Sequence, residues 1–192
     1  MVAKQFAQWG YVTLRIDFAA AARAKASMAR IICLDQVADT RNALSYLATA
    51  PKSIRNESPW SAAASARRLR FSRGGADRRV AAVISCGGWG DGERKFRGQH
   101  PTPEAWAKFT NMLEEGKAPS RAHRQVADGA ALRYRADPEK LRNRMSSGSI
   151  MEFPAETAQS MNDFRADDQV GNISPRPLLL IHSANDSVTP TV

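Results

Sequence analysis

Three apolar runs stand out from the mixed polar background of the chain. Gly10-Tyr-Val-Thr-Leu-Arg-Ile-Asp17 follows a glycine and is rich in β-branched and aromatic residues. Val80-Ala-Ala-Val-Ile-Ser85 is short and continuous, and Pro177-Leu-Leu-Leu-Ile-His182 is apolar throughout its centre. Continuous runs of this length predict strands covered on both faces, as in a parallel sheet.

Between these runs the apolar positions change to helical spacing. From Ile31 to Leu47, residues Leu34, Val37, Ala38, Arg41, Leu44 and Leu47 recur on one side of a helix, with Asp35 near its start. A second helix starts at Thr102 or Pro103, runs through Trp106, Phe109 and Leu113, and stops at Gly116. A third is expected from Pro154 to Phe164. Strands alternating with helices predict an α/β fold, a parallel sheet flanked by helices.

At 192 residues, 43% hydrophobic and 24% charged, the chain suits one globular domain with a core of its own. Cys33 and Cys86 are too few for a disulfide framework and lack metal-ligand spacing, so a reducing cytoplasm is the expected compartment. No apolar run approaches the ~20 residues of a membrane span, and Met1 to Gln8 is too short and polar for a signal peptide. No membrane partner is expected.

The net charge of +9 changes the picture more, because it is not spread evenly. Residues 19–29 carry +2, residues 52–75 carry +5 and residues 118–137 carry +2; the remainder holds 16 basic and 16 acidic residues and is neutral. The same three segments are rich in Ala and Arg and lack the periodicity seen elsewhere. Arg67, Arg68, Arg70 and Arg73 would suit a nucleic-acid-binding module, since phosphate contacts need only Lys and Arg density. The other reading of the three segments makes nucleic acid the less favoured partner.

That reading rests on a resemblance. Gly10 to Phe18 resembles the strand that leads into an R-G-x-G-x-S loop in the α/β-hydrolase superfamily. Asp35 to Ala48 resembles the helix before the nucleophile strand, and Leu178-Leu-Leu-Ile-His-Ser-Ala-Asn-Asp-Ser-Val-Thr-Pro190 resembles the strand and loop of the catalytic acid. The nearest branch is dienelactone-hydrolase-like or serine-peptidase-like, over residues 3–18, 30–50, 76–117 and 138–190. The resemblance implies a partial α/β-hydrolase-like sheet in a single incomplete domain, residues 1–192, interrupted by the anomalous segments 19–29, 52–75 and 118–137.

The gaps in the resemblance are the three basic segments. With GC-rich codons read one base out of register after Phe18, residues 18–30 can yield F-R-G-C-G-E-S-E-G-E-H-G-R. Lys52 to Ala66 can yield V-D-P-E-R-I-A-L-V-G-S-S-F-G, whose last five residues form a nucleophile elbow with the Ser codon straddling Ala63 and Ala64. Residues 118–138 can yield a long apolar lid. Shifted GC-rich codons favour Ala, Arg, Gly and Pro, so a compensated frameshift accounts for both composition and charge. The alternative is a set of divergent loops and an Ala-rich helix, which residues 19–30 could form.

The resemblance implies a Ser–acid–His triad that hydrolyses small ester or amide substrates through an acyl-enzyme, with no cofactor and no metal. By position the acid is Asp186; by local chemistry alone, Asn185-Asp186-Ser187 would be an Asx turn closing a strand. The nucleophile position near Ala63 and Ala64 holds no Ser on a Gly-flanked turn, and G-x-S-x-G occurs nowhere in the chain. Ser53 to Ser65 shows no strand pattern, and Ser61, Ser65 and Ser85 lack an elbow. The base should follow the acid, where the sequence supplies no His, and the oxyanion-hole donor loop should precede Gly10. The expectation is thus a truncated and inactive copy. His182 is expected to point along the sheet, and His100 and His123 to be solvated.

The remaining motifs add little. Gly87-Gly-Trp-Gly-Asp-Gly92 with Lys95 is not a phosphate loop and is expected to be a flexible turn. Asp167-Asp168 is expected to be a solvated pair rather than a metal site. Trp89, Phe96, Trp106 and Phe109 suit a helix core better than a substrate lid.

Overall fold

A computed structural model describes residues 2–18, 31–49, 61–62, 77–117, 133–135 and 152–186. The helices are α1 (Val2–Gln8), α2 (Cys33–Thr49), α3 (Gly92–Gln99), α4 (Pro103–Lys117) and α5 (Ala155–Asn162). The strands are β1 (Ser61–Ala62), β2 (Ala82–Cys86), β3 (Arg133–Arg135), β4 (Glu152–Pro154) and β5 (Leu178–Ile181). Among the described residues no helix is long and apolar enough to cross a membrane.

The apolar runs at Val80 and Pro177 meet in the main sheet. β1, β2 and β5 lie in that order and are parallel, with Ser61 level with Ala82 and Val83 level with Leu178. Central β2 buries Val83 and Ser85, while Ala82 and Ile84 are half-buried. Covered by strands on both edges, it needs side chains that pack on both faces, which the Ala-Val-Ile run supplies. β3 and β4 form a separate antiparallel pair.

Arg176 fixes where β2 and β5 begin. Its guanidinium donates to the carbonyls of Asp77 (3.0 Å), Val80 (2.7 Å), Ile173 (3.0 Å) and Asn172 (2.7 Å). A planar fork of five donors suits such a cluster of carbonyls better than an ammonium would. Beside it, Arg79 pairs with Asp77 at 2.6 Å and reaches Ser45 of α2 at 3.1 Å.

The hydrogen bonds from Arg79 hold the Asp77 carboxyl below its ordinary value of 3.8, and burial opposes this only in part. A depressed folded-state value adds stability above the unfolded value and loses it as pH falls through the folded one. The advantage of the wild-type chain over Asp77→Asn in urea midpoint should therefore hold at pH 6 and shrink below about pH 3.8. An advantage independent of pH would disprove the assignment.

The helical layer grows from aromatic packing. Phe96 of α3 is fully buried and stacks on Phe109 of α4, with ring centroids 4.7 Å apart. Lys95 Nζ lies 3.8 Å from the Phe96 ring centroid, and the Arg97 guanidinium 4.2 Å from that of Trp106. Phe96, Trp106 and Phe109 pack in the helix core as expected, whereas the buried Trp89 lies in the turn before α3. Thr102 caps α4 through its hydroxyl to Ala105 N–H (3.2 Å), and Asp91 caps α3 through Arg94 N–H (2.9 Å). Gly116 does not end α4, which runs on to Lys117; a Cβ there would lie 2.7 Å from Ala155 Cβ, so the glycine lets α4 and α5 approach.

At the start of α2, the N–H groups of Ile31 and Cys33 donate to Thr157 Oγ1 and Ser160 Oγ of α5, both at 2.9 Å. These hydroxyls satisfy donors that a helix start leaves open. The buried stripe of α2 is Cys33, Thr40 and Leu44 with Val37 packed against the core, whereas Leu34, Ala38 and Arg41 are exposed. The expected stripe was thus rotated, because α5 meets the side that carries Cys33.

Further expectations need correction. The run after Gly10 is not a strand: residues 11–18 form no regular element, and Tyr11, Val12, Leu14 and Ile16 are exposed. It folds back on α1 instead, through Tyr11 N–H to Phe6 O (3.0 Å) and edge contacts of the Phe6 ring with Trp9 and Tyr11. A strand sequence becomes a strand only where a sheet edge receives it.

Conversely, Ser61–Ala62 enters the sheet although its segment has no strand pattern. Two residues need only β2's free edge.

The glycine-rich turn is pinned rather than flexible. Gly90 O accepts from Ala166 (2.7 Å) and Asp167 (3.1 Å), Gly92 donates to Phe164 O (3.0 Å), and Trp89 is buried edge-on to Phe164. The helix expected to reach Phe164 ends at Asn162, so that the chain can make these contacts.

Candidate functional site at the carboxyl edge of the sheet

Parallel strands leave their carboxyl ends at one edge, where α/β proteins place their ligands. Here β2 ends at Cys86 and is followed by Gly87, and β5 ends at Ile181 and is followed by His182. Gly87 adopts φ +61° and donates to Ile181 O at 2.8 Å, a left-handed step that glycine makes without strain. Beyond β5 the chain turns through Ser183, Ala184 and Asn185, with Asp186 N–H facing Ser183 O at 3.4 Å.

That turn places Asp186, the expected acid, at the carboxyl edge with its side chain half-buried. It also brings the His182 ring to it: Nε2 lies 4.0 Å from Asp186 Oδ2. This corrects the expectation that His182 points along the sheet, because a tight turn returns residue i+4 over residue i. The separation is too long for a hydrogen bond and becomes an ion pair only when the imidazole is protonated.

The candidate nucleophiles among the described residues lie on β1 and β2. Cys86 is exposed and level with Ile181, so its thiol shares the face of Ile181, whereas His182, the next residue, belongs to the other face. Ser85 is buried within β2, as its strand-end reading predicts. Ser61 lies within β1. Ala63, Ala64, Ser65, His123 and the arginines at 67, 68, 70 and 73 lie outside the described residues.

His100 is not the solvated side chain expected. Its Nδ1 contacts Phe96 O at 2.8 Å and its ring stacks on Phe109 at 4.6 Å, so it closes α3 against α4. Asp167 pairs with Arg94 at 2.6 Å, and among the described residues no three His, Cys, Asp or Glu side chains converge as metal ligands. The approach of His182 to Asp186 was missed from sequence; their four-residue spacing across a turn was the available signal.

No family model and no curated protein matches the chain. Solved structures do. The α/β hydrolase GrgF from Penicillium sp. sh18 superposes with a TM-score of 0.56 at 15% identity, over 84% of this chain and 57% of that one. DcsB, solved in complex with its substrate analogue, superposes with a TM-score of 0.55 at 13% identity, over 83% and 57%. The chain has an α/β-hydrolase-like fold and spans little more than half the length of these structures.

Proposed function

We propose that this chain is a copy of a serine hydrolase that has lost its nucleophile, and that intact relatives cleave small ester or amide substrates through an acyl-enzyme. The observation that carries the reading is the β1–β2–β5 order, with the Asp186 turn at the carboxyl edge of β5. In the resembled fold a serine on a strained elbow follows the strand that β1 would represent. That serine attacks the carbonyl, a histidine takes its proton, and the acid orients the histidine. Here β1 is followed by Ala63-Ala64-Ser65, which has no glycine to make the elbow.

Loss of the nucleophile alone removes about 10⁶ in kcat in a serine protease. The purified chain should therefore hydrolyse a short activated acyl ester no faster than buffer does, and should take up no serine-reactive phosphonate. Turnover that disappears in Ser61→Ala or Ser65→Ala would overturn the proposal.

The lost elbow is, in this reading, a change of frame. Residues 19–29, 52–75 and 118–137 share an Ala/Arg bias and hold the whole net charge of the chain. The nucleotide sequence across residues 52–66 should encode G-x-S-x-G in an alternative frame. If neither alternative frame does, the segments are divergent and the frame reading fails.

A further inference from the structure

We draw no further inference here: the strongest candidate, the open edge of β5 among the described residues, where Leu179, Leu180 and Ile181 are exposed, carries nothing because nothing in the structure shows what covers it.

Discussion

Gly92→Ala should leave the chain unable to fold cooperatively, or cost it at least about 3 kcal/mol, the range of severe core overpacking. A Cβ at this position would overlap the Met161 carbonyl oxygen and lie 2.7 Å from that of Asn162. Both obstacles are main chain at the end of α5, so neither can rotate away. Gly92 is also the first residue of α3 and donates to Phe164 O at 3.0 Å, which ties the helix start to the segment after α5. Relief of the overlap would separate α3 from α5 and open the packing around Phe96 and Met161. Gly90→Ala is the control. Its Cβ would overlap the Asp167 carboxylate, a side chain that can swing aside at the expense of its ion pair with Arg94. Exposed ion pairs contribute only about 0–1 kcal/mol, so this variant should lose much less. Urea unfolding of both variants checks the ranking; a Gly92→Ala midpoint at or above that of Gly90→Ala would refute it.

Heating the wild-type chain should give no sharp transition with a midpoint above about 60 °C, the upper end of ordinary mesophile domains. The sheet explains why. Among the described residues of the segment that should hold the nucleophile strand, Ser61–Ala62 pairs with β2, and these two carry no large apolar side chain into the sheet. The strand-like run at Tyr11, Val12, Leu14 and Ile16 lies exposed outside it. On β5, Leu179, Leu180 and Ile181 keep 52%, 58% and 53% of their surface exposed. Each such side chain would contribute about 1.5–3 kcal/mol if fully buried, against a total domain stability of only about 5–15 kcal/mol. An apolar strand edge is also a template for aggregation, so turbidity should rise with temperature. A reversible, cooperative transition above 60 °C would show that the fold closes without these contacts.

Local pattern alone determined much of this protein. The helices at Cys33–Thr49 and Pro103–Lys117 follow from their apolar spacing, and β2 and β5 from continuous runs beside turn residues. The resemblance read from Asp35–Ala48 and Leu178–Pro190 already implied a hydrolase-like fold. Composition also marked the three basic segments, because charge and periodicity can be counted without coordinates.

Tertiary structure decided which of these elements found partners. Residues 11–17 have a strand's sequence but no place in the sheet, while Ser61 and Ala62 have no strand signal and lie in it, because pairing depends on a free edge. The side of α2 that is buried was chosen by Thr157 and Ser160, more than 120 residues away in sequence. The glycine-rich turn is held in place by hydrogen bonds with Phe164, Ala166 and Asp167, which its own sequence does not announce. His182 meets Asp186 only because the turn after β5 reverses the chain. Periodicity specifies the conformation of a segment; burial, register and the meeting of two side chains across a turn depend on what the rest of the chain brings beside it.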